Sequence, residues 1–435
     1  MVKRAFIHAN IPFVIYKNEK ENPDFIKKAT AEGWNRFEMY GDFLLKHINS
    51  SFANNVVCLL KKCDKKLVVP IKYPAHNQVS RMCDIVIGEV QVYCFDTGIG
   101  ICTLQIPFDN GADEDDVTDV CSKLYRSVSG SDCCVDENGA NTYLSVIAQE
   151  MLDSIFNGVV SYKLFGTSNQ TAFQRINMFS GVLLENTDDL LKADPSHNDK
   201  YCFQLANAYD NRDKNLSVNG CDLYYQHNYT RWSFSTRGCA VVANITGVEQ
   251  NDEFLKSRWF VSIQSNYFYL YLMALHQKFA IYNYLNIIAE DPNMNRFEIN
   301  QKALLDFNSK YIFSIVSDEQ FIQDVFLRFK SATNVDNAYI ELQDQLKKMF
   351  DYARFKSNES LEQKNQSMNL ISVIISVVCS ISVIFDTANL FVSNGFALGF
   401  QTLKNCVFTG VVSLEVLLFV LVLGIVILIN KKKNK

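Results

Sequence analysis

The sequence predicts an α+β cytosolic domain, followed by long helices and by a two-helix transmembrane hairpin at the C-terminal end. Short β-branched apolar runs separated by turn residues occupy residues 1–255, and helical periodicity follows from Phe254. Near the C-terminal end, two nearly uncharged stretches each reach the ~20 residues that cross the hydrocarbon of a bilayer. These three observations together set the fold class.

The composition excludes several classes of protein. Of the 435 residues, 48% are hydrophobic and 13% aromatic, which is enough for a packed core and argues against disorder. The net charge of -5 shows no basic excess, so direct contact with nucleic acid is not expected. The 13 cysteines and 6 histidines form no C-x-x-C and no H-x-x-x-H pattern, which argues against a structural zinc site and for reduced thiols in a cytosol.

Residues 1–255 are expected to form the α+β sensor domain. The turn residues Asp96-Thr97-Gly98 lie between two apolar runs and predict a β-hairpin. Helical periodicity predicts a helix over Tyr143–Phe156. The predicted strands are Asn55–Lys61, Lys66–Tyr73, Asp84–Phe95, Ile99–Phe108, Asp222–His227 and Cys239–Thr246.

Residues 256–335 are expected to form a helical subdomain that folds back on a stalk helix of residues 336–369. Trp259–Glu290 is long and aromatic, but polar residues spread along it favour a soluble helix that is packed on several sides. Pro292 ends this helix, a second helical stretch covers Arg296 to about Ser331, and His276 is expected to be a core histidine. A seam that alternates spacings of four and three is typical of a helix bundle; it consists of Val335, Tyr339, Leu342, Leu346, Met349 and Ala353.

The predicted hairpin follows the stalk without a break. Neither glycine nor proline occurs from Asp336 to Val392, and 57 residues in one helix would span roughly 85 Å. The predicted segments are a first transmembrane helix (370–392), an outer loop (393–405), a second transmembrane helix (406–430) and a basic tail (431–435). Lysines after the second span and basic residues before the first place both termini in the cytoplasm, and thus predict a multi-pass protein of the cell (inner) membrane.

Polar residues of the first span share one face of its helix. The stripe predicted to line a pore consists of Asn365, Met368, Ser372, Ile375, Ser376, Cys379, Ser382, Asp386 and Asn389. A ring of copies that turn this stripe inward would enclose a polar path, with Met368 as a constriction and Asp386 attracting cations at one mouth. Small residues also mediate close packing of transmembrane helices, so helix–helix packing is the alternative interpretation.

Two weaker candidate sites lie in the α+β part. Asp113, Glu114, Asp115 and Asp116 belong to an acidic run that could bind magnesium or calcium, although such runs are usually solvated. Arg231, Trp232, Arg237 and Arg258 form a basic-aromatic mixture that could hold an anionic ligand, and ordinary interdomain packing is the favoured alternative. The sequence shows no nucleophile–base arrangement, so the chain is not expected to be an enzyme.

This organisation resembles that of the CorA-type magnesium transporters. Asn365 and Met368, three residues apart before the apolar run, resemble the polar ring and hydrophobic gate of that family, and the tail Asn430-Lys431-Lys432-Lys433 is also similar. The resemblance implies a homopentamer around the first span and a divalent cation as the permeating ion, with no covalently bound cofactor. The family's Gly-Met-Asn signature is missing, because Asp386-Thr387-Ala388-Asn389 stands in that region, so magnesium selectivity is not carried over.

Three functions are compatible with these features. The first is an oligomeric CorA-like channel or transporter for cations that is gated by its cytosolic domain in the lipid bilayer. CorA-like proteins without the signature also occur as membrane effectors beside type III CRISPR and other antiphage systems, so the resemblance implies, as an alternative, gating by a nucleotide second messenger. The third is a non-conducting, membrane-anchored scaffold.

Overall fold

The computed structural model describes residues 2–16, 24–72, 79–108, 111–128, 132–165, 175–185, 195–211, 218, 222–227, 230–245, 258–290 and 297–393. The chain divides into two units, Met1–Gln345 and Leu346–Lys435. The predicted outer loop beyond residue 393, the second transmembrane helix and the basic tail lie outside the described residues.

Strands and helices of the described residues have the following bounds. The strands are β1 (Val2–Tyr16), β2 (Asn35–Phe37), β3 (Val56–Lys72), β4 (Val79–Phe95), β5 (Ile99–Phe108), β6 (Cys134–Asp136), β7 (Asn141–Thr142), β8 (Ser161–Leu164), β9 (Asn177–Leu184), β10 (Leu223–His227), β11 (Thr230–Phe234) and β12 (Gly238–Asn244). The helices are α1 (Asp24–Ala31), α2 (Lys46–Asn55), α3 (Glu114–Tyr125), α4 (Leu144–Phe156), α5 (Pro195–Asn207), α6 (Phe260–Ser262), a π-helical segment (Ile263–Tyr267), α7 (Phe268–Glu290), α8 (Phe297–Tyr311), α9 (Gln320–Ala332) and α10 (Val335–Ser393).

The first unit is built on one mixed sheet whose order is β10-β11-β12-β9-β1-β5-β4-β3-β6-β7. β1 lies at its centre, antiparallel to both β5 and β9, while β12 runs parallel to β9. Two polar residues of β1 are buried. Asn10 is satisfied, since its amide donates to the carbonyl oxygens of His8 and Asn177 and accepts from Thr103 Oγ1 at 2.8 Å.

Successive side chains of β1 point to opposite faces of the sheet, and each face has its own helical cover. Ala5, Ile7 and Ile11 belong to a core that also contains apolar residues of α3, α4 and α5. Phe6 and His8 face the aromatic helix: their rings lie 5.2 Å from Phe260 and 4.4 Å from Phe268. The sheet is therefore buried between two helical layers, as expected for a strand that is apolar on both sides.

Several predicted elements are confirmed. β4 and β5 form the predicted hairpin around Asp96-Thr97-Gly98, and α4 matches the predicted helix within one residue. The two strands predicted over 55–73 are wrong, because they form one strand, β3, with a register shift between Lys62 and Lys65. The second helical stretch is also interrupted, since residues 312–319 separate α8 from α9.

A hydrogen-bonded group joins the β4–β5 turn to the helical layer. His276 of α7 stacks on Phe95 at 3.8 Å and shares a hydrogen bond of 2.9 Å with Thr97 Oγ1. Tyr311 donates from its hydroxyl to Asp96 Oδ1 at 2.6 Å, and Lys310 pairs with Asp96 Oδ2 at 2.7 Å. His276 is 1% exposed, so the prediction of a core histidine is confirmed.

α10 begins in the first unit, and its residues from Leu346 belong to the second. Val335, Ala338 and Leu342 are buried within the first unit, so the start of the predicted seam serves as core packing there. The helix runs to Ser393 without an interruption, close to the predicted end at Val392. The absence of glycine and proline along this stretch is the local reason for its continuity.

Candidate functional site

The candidate site is the apolar part of α10 in the second unit. Among the described residues, one helix is long and apolar enough to cross a membrane; its most apolar window has a mean hydropathy of 1.4, and none of that window is buried. Large apolar side chains lie exposed around the helix, including Ile371, Val373, Ile375 and Val377. Exposed apolar surface of this extent needs lipid or another protein surface to cover it.

The polar stripe falls on this helix. With 3.6 residues per turn, Asn365, Met368, Ser372 and Cys379 lie along one side of α10, and Val377 lies on the opposite side. Ile375 and Ser382 border this side, with Ser376 at its flank. Met368 is the most exposed apolar residue of the stripe, at 68%. Asp386 and Asn389 continue the helix, but their side chains lie outside the described part of the chain.

Two serines of the apolar segment donate their hydroxyl protons within the helix. Ser376 Oγ donates to the Ser372 carbonyl oxygen at 2.8 Å, and Ser380 Oγ donates to the Ser376 carbonyl oxygen at 2.7 Å. Both hydroxyls therefore donate their hydrogen bond within the helix, and only oxygen lone pairs face outward. Such a surface tolerates an apolar environment and can also accept hydrogen bonds from water or contact a cation.

Thiol accessibility distinguishes a water-facing stripe from a lipid-facing one. In a Cys379→Ser background, Ser372→Cys is expected to react with a membrane-impermeant thiol reagent much faster than Ile374→Cys, since the latter lies away from the stripe. The measurement is the labelling rate in liposomes that contain the full chain. A faster reaction at Ile374→Cys than at Ser372→Cys would contradict the assigned face.

The predicted anion-holding residues are not brought together in one pocket. Arg231 is buried, pairs with Asp199 Oδ1 at 2.8 Å and lies over the Tyr225 ring at 4.4 Å. Trp232, the next residue of β11, is completely buried on the other face, 5.2 Å from the Tyr267 ring. The contacts of these residues are those of core and edge packing.

The other two arginines of that set lie apart from β11. Arg237 donates to the Asn207 carbonyl oxygen at 2.9 Å and lies over the Tyr209 ring at 5.0 Å. Arg258 is exposed beside the start of the aromatic helix. An anionic ligand that touches all four residues at once is therefore not supported by this arrangement.

The predicted acidic site is the start of α3. Asp113 caps the helix by accepting from the Asp115 backbone N–H, and Glu114 bonds to His197 Nε2 at 2.8 Å. Asp116 pairs with Arg81 at 2.8 Å. Burial and the neighbouring Asp113 raise the pKa of Asp115. Acidic residues in a first helical turn complement the helix dipole, which accounts for this run without an ion.

Sequence reasoning missed a groove of the first unit, on the face of the sheet that Phe260 and Gln264 cover. It has a volume of about 690 Å³ and is lined by residues from β1, β3, β4, β5 and the aromatic helix. Basic, acidic and amide side chains are mixed in its lining. No local sequence signal marks it, because residues between positions 3 and 264 contribute to it.

No family model, curated protein or solved structure matches the chain. The resemblance to CorA-type transporters therefore stays a prediction, and function is inferred from the geometry of this chain's own residues.

Proposed function

We propose that the chain is one subunit of an oligomeric membrane channel or transporter for cations, in which the first span of each copy lines the pore. The observation that carries this proposal is the serine-bearing stripe on an apolar helix whose surface is exposed all round. One helix cannot enclose a water-filled path, whereas a ring of identical helices can. The apolar sides of such a ring would face lipid, and the hydroxyl oxygens would face water.

The hydrogen bonding of Ser376 is compatible with this orientation of the stripe. Because the hydroxyl proton of Ser376 is already donated to a backbone carbonyl, its outward oxygen is an acceptor only. Acceptor oxygens suit a cation path and give an anion no hydrogen-bond donor. Asp386, in the same helical phase, would add negative charge at one mouth.

The cytosolic α+β domain would control opening. α10 is helical from the first unit into the apolar segment, so a shift between two arrangements of the domain could bias the pore helices. The missing Gly-Met-Asn signature leaves the permeating cation open, and a ring of five copies is what the resemblance implies. Placement in the inner membrane with both termini in the cytoplasm is part of the same proposal.

Opening the proposed constriction tests conduction without knowledge of the gating signal. Met368→Gly removes the most exposed apolar side chain of the stripe, so cation leak through liposomes that contain the full chain is expected to rise at least about tenfold over that of the wild type. The measurement is potassium efflux from loaded liposomes, repeated with magnesium entry.

Ile374→Gly is the matched control, because it carries a similar helix-propensity penalty of about 1 kcal/mol away from the stripe. It is expected to leave the leak near the wild-type level. If liposomes with Met368→Gly are as tight as protein-free liposomes, the channel proposal fails and the non-conducting scaffold becomes the better account.

A further inference from the structure

The groove of the first unit lies where the regular sheet breaks down. β4 and β5 are paired from Glu89 opposite Gln105 to Cys94 opposite Gly100, so the two strands part at Gly88. On the other side of β4, the β3 register shifts between Lys62 and Lys65, and Asp64 takes a φ of 48°. Bulges of this kind re-aim side chains and occur frequently beside binding sites.

A third irregularity covers the same place. The aromatic helix passes through a π-helical segment, Ile263–Tyr267, and Gln264 of this segment lines the groove together with Phe260. π-helical turns interrupt the regular hydrogen bonding of an α-helix and occur frequently at functional sites. Two strand irregularities and one helix irregularity thus meet at one groove.

Polar groups without partners lie beside it. His8 stands opposite Gln105 in the β1–β5 register and is 1% exposed, and neither of its ring nitrogens has a hydrogen-bond partner in the described part of the chain. Trp259 Nε1, next to the lining residue Phe260, is buried and equally unpartnered there. Orphaned buried donors are rare in folded proteins and need an explanation other than stability.

Charged side chains lie on both the β1 side and the β3 side of the groove. Lys3 pairs with Glu185, and Lys62 stands directly opposite Glu89 in the β3–β4 register. Arg4 on β1 and Asp64 on β3 are both exposed and have no ion pair among the described residues. The Arg4 guanidinium is held over the Phe260 ring at 4.5 Å. Arg4 and Asp64 are therefore an available cation and an available anion on the β1 and β3 sides of the groove, and Lys62 and Glu89 are further charges of its lining.

Strand spacing sets the distance between these two sides. The sheet order β1-β5-β4-β3 puts three spacings of ~4.8 Å between the two strands, about 14 Å in all. The registers also place Arg4 about three residues farther along the sheet than Asp64, so their Cα atoms lie roughly 17 Å apart. The two side chains extend over part of this distance, so charges of a ligand about 10 Å apart would meet both. Gln105 and Gln264 supply amide donors and acceptors between the two sides.

We infer that this groove binds a small zwitterion, with its anionic group on Arg4 and its cationic group near Asp64. The binding site stands on the groove geometry alone, whereas its use as the signal that opens the pore rests on the proposed function.

Three peptides of equal length test the charge pattern. An extended tripeptide is about 10 Å long, so triglycine carries its two charges at the required distance. N-acetyl-triglycine keeps only the carboxylate, and triglycinamide keeps only the ammonium group. Binding to the full chain in detergent is measured by saturation-transfer NMR. Triglycine is expected to bind with a Kd of about 1 mM, and each blocked peptide at least about tenfold more weakly.

Two variants test which side of the groove binds each charge of the peptide. Arg4→Gln and Asp64→Asn are each expected to weaken triglycine binding at least about tenfold, and asparagine tolerates the positive φ at position 64. Lys66→Gln, at an exposed lysine of β3 outside the groove, is expected to bind as the wild type does. Tryptophan fluorescence checks that each variant is folded.

Equal binding of all three peptides, wild-type binding by both groove variants, or no triglycine binding at about 10 mM would overturn the inference. This outcome is distinguishable from failure of the channel proposal. Peptide binding is read without any ion flux, and the leak expected of Met368→Gly does not need an occupied groove.

Discussion

Replacing His8 with phenylalanine is expected to stabilise the first unit by about 2 kcal/mol more at pH 5 than at pH 8. The His8 ring lies in a box formed by Phe6, Phe179 and Phe268, with no hydrogen-bond partner among the described residues. Burial lowers the pKa of His8 from 6.5 to about 3. The native state therefore keeps the ring neutral at a pH at which the unfolded chain takes up a proton.

The sign of the pH dependence follows from this difference. Above pH 6.5 neither state binds the proton, so the full stability is present. As the pH falls from 6.5 toward 3, the unfolded state binds a proton at His8 and the native state does not. The free energy of unfolding therefore decreases. Phenylalanine removes this linkage and also removes ring nitrogens that burial leaves unsatisfied, so a gain is expected at pH 8 as well.

His276→Phe provides the matched comparison. Burial lowers the pKa of His276 to about 3 too, so its replacement is expected to give the same pH-dependent gain. The pH-independent change in the free energy of unfolding has the opposite sign to that of His8→Phe, because the His276 variant loses the hydrogen bond of 2.9 Å to Thr97 Oγ1. At pH 8 the His8 variant should be more stable than the wild type and the His276 variant less stable.

Tryptophan fluorescence during urea unfolding is the measurement for both variants. The chain has 3 tryptophans, all in the first unit, and Trp34 and Trp232 are completely or almost completely buried. Tryptophan fluorescence therefore reports the unfolding of the first unit even when the full chain is measured in detergent. An unchanged difference between His8→Phe and the wild type at the two pH values would show that His8 is charged or solvated in the native protein.

Local signals predicted those elements of the fold that depend on local interactions. The Asp96-Thr97-Gly98 turn and the periodicity of α4 are readable from neighbouring residues, and both are present. The central strand β1 was not predicted, because His8 and Asn10 interrupt its apolar run. Asn10 is tolerated there because Thr103 and Asn177, from distant parts of the chain, bond to it together with the nearby His8 carbonyl.

The same distinction applies to the candidate sites. The stripe of α10 follows from residue spacing alone, since a helix converts spacing into a face. The groove depends on a strand register and a bulge that bring Arg4 and Asp64 to its β1 and β3 sides. The spacing of residues in the sequence reveals neither the register nor the bulge. The partners of Arg231 and Arg237 likewise come from α5, which explains why a basic-aromatic mixture in the sequence was not a shared pocket.

Replacing Ser372 with leucine is expected to reduce cation flux at least about tenfold, equivalent to about 1.4 kcal/mol added to the barrier for permeation. In a ring of copies, each subunit would place a leucine side chain at the position of the Ser372 hydroxyl. A pore that is lined by such apolar side chains excludes water. Introducing the change in the Met368→Gly background keeps flux measurable without a gating ligand. Potassium efflux from liposomes of equal protein content is the readout.

Val377→Leu in the same background is the control, because it enlarges an apolar side chain on the opposite side of α10. It should retain the flux of its parent, since the added methylene would contact lipid. Helix propensity does not explain a difference between the two variants, as leucine is the better helix former in both replacements. If Val377→Leu blocks flux and Ser372→Leu does not, the serine stripe packs against other helices, and a different face of the first span lines the path.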